Sequence, residues 1–310
     1  MGVRAVRLLV TGANGLVGTK ILERLLHHPR AEPLGAYHQS RDNQYLGDFP
    51  SWQLDVRNLD DVTRVLTEAR PDAVIHAGAF TNVDGAERDR DAAWAVNADG
   101  TANLARACAA RGIRLVYVSS EYVFDGTAGP YRESDPVNPL GWYARTKEAG
   151  ERGVLDTGGN AAIGRTTVVY GYAAHVRANF VLWLVGQLKA GQRVRIVDDQ
   201  IGSPTLAENL AEMLLALAAS DVRGIFNTAG ADVLSRLDFS RQIADTFGLD
   251  ASLIDPTSTA ALGQAAPRPL RAGLLMDAFR AAFPEVPVRS VAEGLAIVKR
   301  QFEQAGLVER

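Results

Sequence analysis

The sequence predicts an α/β fold: a doubly wound parallel sheet with helices on both faces and a smaller C-terminal lobe. Three observations carry that expectation. The stretch Ala5–Gly18 (AVRLLVTGANGLVG) runs from an apolar segment through three glycines into an amphipathic pattern. Short apolar runs then alternate with helix-length segments as far as Ser119. With 310 residues, 47% of them hydrophobic and 22% charged, the chain can bury a full core.

Val6–Val10 reads as a buried strand, and Ile21, Leu22, Leu25 and Leu26 as the apolar face of the first helix. Between them Gly12 allows a sharp turn, Gly15 lets backbone approach a ligand, and Gly18 lets the helix pack on the strand. Backbone N–H groups at that helix start would face an anion, aided by the helix dipole. The GxxGxxG spacing points to nucleotide binding, with a purely structural turn as the alternative. Pro33–Tyr37 reads as a second strand, leading into the polar stretch His38–Asp48. Ser51–Leu54 is a third strand ending at Asp55, Leu59–Ala69 a helix, and Ala73–His76 a fourth strand closing on Ala77-Gly78-Ala79. A long helix is expected through Asp91–Arg111 and a fifth strand over Ile113–Ser119. Ligands of such sheets gather at the carboxyl ends of the strands, where Thr11, Asp55, Gly78, Ser119 and Ser120 all fall.

Glu121–Pro139, rich in Gly, Pro and Asp, reads as a long active-site loop. Trp142–Leu155 is helical, Ala161–Val169 a sixth strand, Asn179–Ala190 an apolar helix and Arg193–Val197 a short strand. The turn Asp198–Thr205 precedes a helix over about Ala207–Ala219. The C-terminal third, punctuated by Pro256, Pro267, Pro269, Pro284 and Pro287, reads as a small lobe interleaved with the main domain. Residues 1–170 are expected to form mainly the first domain and 171–310 mainly the lobe, with about 205–240 returning to the main domain.

A net charge of -3 and a pI of about 6.0 argue against a nucleic-acid partner. No apolar run approaches the roughly 18 residues of a membrane span, and a strand so near the start leaves no room for a signal peptide, so a cytoplasmic protein is expected. Cys108 is the single cysteine and reads as a core thiol, which excludes an internal disulfide. His76 ends an apolar strand without clustered partners and reads as a satisfied histidine rather than a metal ligand. No metal site is expected.

Tyr143 and Lys147 stand four apart in WYARTKEAGE and so share one helix face. A neighbouring ammonium favours phenolate, lowering the phenol pKa from about 10 towards the range of a general acid/base. Ser120, at the end of the fifth strand, is placed to hydrogen-bond the same substrate oxygen. A chance surface pair is the alternative reading of the tyrosine and lysine.

In order along the chain stand TGANGLVG (11–18), AGAFTNVDGAE (77–87), VNADGTANLA (96–105), VSSEYVFDG (118–126), YARTKEAGE (143–151), VYG (169–171), NF (179–180), DDQIGSPT (198–205) and RP (268–269). This series resembles the extended short-chain dehydrogenase/reductases, and within them the dTDP-4-dehydrorhamnose reductase group. The resemblance implies a Rossmann-type fold with a C-terminal substrate-binding lobe. It casts Tyr143 as the acid that protonates a carbonyl, Lys147 as its activator and ribose ligand, and Ser120 as the carbonyl's anchor. Asn97 would belong to the cofactor-binding set and support the lysine through water, with an ordinary helix polar residue as the alternative. Gly12, Asn14, Gly15, Leu16 and Val17 would line the pyrophosphate, Asp55 and Val56 would meet the adenine, and Ala77, Gly78 and Ala79 would run along the ribose and phosphates. Asp55 could instead merely cap a turn.

After strand two the chain reads Tyr37-His38-Gln39-Ser40-Arg41 with no acid before Asp42, favouring NADP over NAD through Arg41, with a solvated loop charge as the alternative reading of Arg41. Sugar contacts are expected from Val83, Asp84, Phe124, Asn179, Gln200 and Arg268, with Pro204 and Thr205 shaping the wall. The implied activity is an NADP-preferring reduction of a nucleotide-activated 4-keto-6-deoxysugar. The group also suggests an ion-bridged homodimer through Glu285, Glu293 and Glu303, although spacing alone makes these surface charges.

Three positions depart from the group: Val168 for a frequent Trp, Glu121 for Asp, and Ser120 for Thr. The loop Tyr131-Arg132-Glu133-Ser134-Asp135 is similar to one in the regulatory β subunit of methionine adenosyltransferase, so a non-catalytic NADP-binding subunit is an alternative. An epimerase or dehydratase is another, against which Tyr122 after Glu121 argues.

Overall fold

The computed structural model describes residues 5–39, 49–174, 176 and 179–307. In its first half lie β1 (Val6–Thr11), α1 (Leu16–Leu26), β2 (Ala31–Tyr37), β3 (Ser51–Gln53), α2 (Leu59–Ala69) and β4 (Ala73–His76). There follow α3 (Val83–Arg88), α4 (Arg90–Trp94), a π-helical turn (Ala95–Gly100), α5 (Thr101–Ala109), β5 (Arg114–Ser120), α6 (Trp142–Leu155) and β6 (Ala161–Thr166). The second half holds β7 (Val169–Tyr170), α7 (Phe180–Lys189), β8 (Val194–Val197), β9 (Ile201–Gly202), β10 (Thr205–Leu206), α8 (Ala207–Ala218), β11 (Gly224–Asn227) and β12 (Leu234–Ser235). It ends with α9 (Arg236–Phe247), β13 (Ile254–Thr257), α10 (Thr259–Leu262), α11 (Asp277–Ala282) and α12 (Val291–Gln304).

Seven strands form one sheet in the order β11-β6-β5-β4-β1-β2-β3, with every pairing parallel. This is the Rossmann arrangement extended by one strand. Both faces are covered, so β1 reads as a continuous apolar run whose successive residues enter different cores. Leu8 and Val10 pack with Ile21, Leu22 and Leu25 of α1 and with Leu210, Leu214 and Leu217 of α8. Leu9 faces the other way, joining Val62, Val65 and Leu66 of α2 with Leu104 and Cys108 of α5. A third core lies in the lobe, where Leu184, Leu188, Ile196, Phe239, Ile243, Val298 and Phe302 pack together.

Two expected elements are interrupted. The sixth strand stops at Thr166 instead of reaching Val169, and Val168 turns through a left-handed φ of 29° before β7. A β-branched residue rarely adopts that conformation. The helix expected through Asp91–Arg111 is broken by the π-helical turn, inserted between α4 and α5. The fifth strand is shifted by one residue, to Arg114–Ser120.

The glycine turn has a tighter geometry than the sequence implies. Gly12 has φ 68°, and a Cβ there would lie 2.7 Å from the Gly78 backbone. A Cβ at Gly18 would lie 2.2 Å from the Gly12 carbonyl oxygen, so at this position the helix closes on the turn after the strand. Among the described residues no helix is long and apolar enough to cross a membrane.

Candidate active site

Two adjoining cavities open at the carboxyl ends of the strands and share Gly12, Gly15, Ala77, Ala79 and Thr81. The larger, about 750 Å³, reaches from the glycine turn into the lobe. The smaller, about 420 Å³, lies over the ends of β2 and β3. Gly15 caps α1 with extended backbone and no side-chain hydrogen bond, and the first turn holds no acidic residue. Gly15, Leu16, Val17 and Gly18 of this helix start line the larger cavity. Such a cradle, closed to any Cβ at Gly12 and Gly18, fits a dinucleotide pyrophosphate.

Asn14, Gly78, Asp55 and Val56 line the smaller cavity. The Asn14 amide donates to the Gln39 carbonyl at 3.2 Å, tying the glycine turn to the end of β2. Asp55 accepts from Arg57 at 2.9 and 2.7 Å and from the Arg57 backbone N–H at 3.0 Å, so it closes a turn while facing the cavity. The Arg57 hydrogen bond holds its carboxyl below the usual carboxylate range. The end of β2, Tyr37-His38-Gln39, presents no carboxylate to this cavity. Arg41 lies outside the described residues.

Ser120, Tyr143 and Lys147 all line the larger cavity. β5 delivers Ser120 at its last residue and α6 carries Tyr143 and Lys147 one turn apart. The Tyr143 ring meets Tyr122 edge-on at 5.9 Å. Lys147 donates to the Val118 carbonyl at 2.8 Å and sits 4.3 Å over the Tyr117 ring. Burial pulls the lysine down to about 7, against the opposing pull of Glu151. The expected lowering of the Tyr143 phenol by Lys147 is absent in the protein alone. Burial pushes that phenol above its ordinary value, Tyr122 and Glu121 add to the rise, and a hydrogen bond with Ser120 opposes it.

Asn97 lines neither cavity, contrary to the expected cofactor contact. From the π-helical turn its side chain accepts from Phe80 N–H at 2.8 Å and donates to Phe80 C=O at 3.1 Å and to Thr146 Oγ1 at 3.0 Å. Thr146 in turn donates to the Tyr143 carbonyl at 2.7 Å. Asn97 thus clamps the loop after β4 to the turn of α6 that carries the tyrosine. The inserted residue of a π turn is a recurrent way of aiming such a side chain.

Val83, Asn179, Gln200 and Arg268 line the larger cavity. Asp84 does not; it accepts from Arg268 at 3.0 Å and from Ala266 N–H at 2.9 Å, holding the arginine in place. Asn179 caps α7 and donates to Gly171 C=O at 2.6 Å. Gln200 donates to Thr259 Oγ1 at 3.0 Å and to Gln264 Oε1 at 2.9 Å. Phe124 is corrected to a core residue: fully buried, it stacks on Tyr131 at 4.2 Å with the Arg165 guanidinium 4.9 Å away. Thr205 is buried beneath the wall, accepting from Gly230 N–H, and Pro204 lines a separate crevice.

The sequence reading missed Thr166, Thr167 and Arg236, all of which line the larger cavity. Thr166 ends β6 opposite Ser120 in register, but the sequence reads that strand through to Val169, so the strand-end rule does not single it out. Arg236 opens α9 and lies 4.7 Å from the Phe180 ring, a placement set by tertiary packing alone. His76 bonds Thr11 Oγ1 at 2.6 Å and Thr101 Oγ1 at 3.2 Å, and burial pulls it down to about 3, so it is neutral. Glu293 forms a capping box with Ser290. Among the described residues no three His, Cys, Asp or Glu side chains could together hold a metal ion.

Comparison with known proteins matches residues 6–302 to the family described as RmlD substrate binding domain. A dTDP-4-dehydrorhamnose reductase of Mycobacterium tuberculosis is 40% identical over 275 residues, covering 86% of this chain and 84% of its own. Methionine adenosyltransferase 2 subunit beta of Bos taurus is 30% identical over 270 residues, covering 84% and 78%. A crystal structure of dTDP-4-dehydrorhamnose reductase from Bacillus anthracis in complex with NADP superposes with a TM-score of 0.82, at 30% identity and covering 96% of this chain and 99% of that one. A match that runs from the first strand to the last helix leaves one conclusion: the chain belongs to the RmlD substrate binding domain family of extended short-chain dehydrogenase/reductases.

Proposed function

We propose that the protein is an NADP-preferring reductase of a nucleotide-activated 4-keto-6-deoxysugar, converting dTDP-4-dehydro-L-rhamnose to dTDP-L-rhamnose. The carrying observation is that one cavity holds the anion cradle of α1 and the Ser120–Tyr143–Lys147 group together. Bound NADPH supplies the hydride that reduces the sugar carbonyl. Leu16 and Val17 N–H groups hold its pyrophosphate, Ala77 to Ala79 border its riboses, and Asp55 and Val56 border its adenine. The absence of a carboxylate after β2 favours the 2′-phosphate of NADP, and Arg41 is the expected partner of that phosphate. Residues 1–170 supply mainly this cofactor side, and 171–310 mainly the substrate side, with 205–240 returning to the sheet.

Ser120 holds the carbonyl oxygen and Tyr143 delivers its phenolic proton to it. A neutral phenol pushed upward by burial keeps that proton until the oxygen develops negative charge. Lys147, pinned by Val118, favours the resulting phenolate. Val83, Asn179, Gln200 and Arg268 border the sugar nucleotide, and Asp84 orients Arg268. Loss of NADPH absorbance on adding the keto sugar nucleotide tests the reading. The relation to the methionine adenosyltransferase subunit supports one alternative, a regulator that binds cofactor without turnover, and zero turnover with tight NADPH binding would establish it.

A further inference from the structure

Three buried polar residues beside the proposed catalytic group take no part in the mechanism above: Ser119, Glu151 and Arg165, each no more than 3% exposed. Successive turns of α6 grip the last residues of β5. Tyr143 bonds Ser120, Lys147 donates to the Val118 carbonyl at 2.8 Å, and Glu151 accepts from the Ser119 hydroxyl at 2.6 Å. Glu151 is held in turn by Arg165, which lies opposite Ser119 in register on β6 and donates to its two carboxylate oxygens at 2.9 and 2.7 Å. Arg165 also donates to the Glu133 carbonyl at 3.2 Å, and the Glu133 carboxylate accepts from Asn227 N–H at 2.9 Å, so the loop 131–135 is anchored here. A buried ion pair adds little stability over apolar residues of similar volume, so folding alone does not account for this one.

The pair stands next to another buried charge. Lys147 lies one helical turn before Glu151 and is 2% exposed, and burial works against its ammonium. The groups around the lysine leave Glu151 as the anion that acts on it. Tyr143 on α6 and Tyr117 on β5, whose ring lies 4.3 Å from the ammonium, both keep their protons. His76 on β4, stacked on Tyr117, is neutral. Glu121, which follows β5 and acts on Tyr143, is pushed by burial towards the neutral acid. Glu87 and Arg90 pair with each other at the Trp142 end of α6. Arg165 on β6 reaches α6 through the Glu151 carboxylate itself.

We propose that Glu151, locked by Arg165, is a positioning residue that fixes the end of β5 through Ser119 and keeps Lys147 cationic one turn from the reacting tyrosine. The proposal rests on the reductase reading above, but its first test needs no turnover. The chain has four lysines, Lys20, Lys147, Lys189 and Lys299, so NMR of the protein labelled at lysine Cε resolves Lys147, with Lys147→Met as the assignment. Glu151→Gln keeps an acceptor for Ser119 but removes the charge, and the Lys147 titration should fall by about one pH unit or more. Glu151→Gln combined with Arg165→Met leaves no unpaired arginine to threaten the fold, and it too should lower the titration. Glu151→Asp keeps the charge and should hold the titration within about half a unit of the wild type. A merely structural role predicts the reverse, because a loosened helix admits water and the titration climbs towards about 10.4. A Lys147 titration that rises or does not move in Glu151→Gln or in the double variant would overturn the proposal. With NADPH and the keto sugar nucleotide, the basic limb of kcat should fall with the titration, a loss of about 10-fold near pH 8 in Glu151→Gln. The expected titrations in a protein that reduces no keto sugar would support this role of Glu151 and overturn the reductase reading alone.

Discussion

The proposed cofactor side and the proposed substrate side of the cleft share Gly12, Gly15, Ala77, Ala79 and Thr81 but are assembled differently. On the proposed cofactor side the cradle is main chain, at the turn after β1, where Gly12 and Gly18 leave no room for a Cβ. On the proposed substrate side the wall is made of side chains drawn from distant segments, as in the pairing of Asp84 with Arg268. Close main-chain contacts shape the first side; the second borders buried residues, Glu121, Thr166 and Thr167, each with a side-chain oxygen that has no hydrogen-bond partner. Substitutions should therefore separate cleanly, with backbone geometry governing dinucleotide affinity and side-chain chemistry governing sugar handling.

The largest effect is expected at the point where the two sides meet. Tyr143→Phe should lower kcat by about 10²–10⁴-fold with NADPH affinity unchanged, as steady-state rates and a fluorescence titration would show. Gly18→Ala should act on the other side alone, because its Cβ would press on the Gly12 carbonyl at 2.2 Å. A loss of roughly 10–100-fold in NADPH affinity is expected from displacing the cradle, as geometry errors of about 1 Å are costly. Asp84→Ala should release Arg268 and raise KM for the sugar nucleotide by roughly 10-fold, leaving NADPH affinity intact. An equal effect on both ligands would dissolve the distinction.

A smaller effect concerns Lys147. Burial holds its pKa down to about 7 in the folded protein, against about 10.4 for a free lysine. Between those values the unfolded chain binds more protons, so this group makes stability rise with pH. Denaturation of the wild type and Lys147→Met at several pH values should show the wild type gaining on the variant from pH 7 towards 10. The smallest effect is expected far from the cleft. Ser290→Ala removes the N-cap of α12 and should cost about 1 kcal/mol of stability with no change in turnover.

The same contrast governs what the sequence disclosed. The glycine turn and the Tyr143–Lys147 face were legible because short-range spacing sets them. The π-helical turn was not, since helical patterning runs unbroken over Asp91–Arg111 and the tertiary bonds of Asn97 to Phe80 and Thr146 leave no local signal. Phe124 misled because aromatics suit a sugar wall and a core alike; its stack on Tyr131 decides for the core. Thr166 and Thr167 were hidden inside a run that reads as uninterrupted strand, whereas the chain turns at Val168 and leaves both residues at the cavity wall.

One feature of the sheet bears on how such proteins can be recombined. β11 lies beyond the first lobe elements in sequence yet pairs with β6, and the buried Arg114 donates to the carbonyls of Leu217 and Val222 at 2.8 and 2.6 Å. A chimera joined at Tyr170 would have to borrow its outermost strand from the other parent. Exchange of substrate preference between relatives is therefore better sought by replacing 171–206 and 228–307 together while retaining the native 207–227, a graft of two segments rather than a single splice.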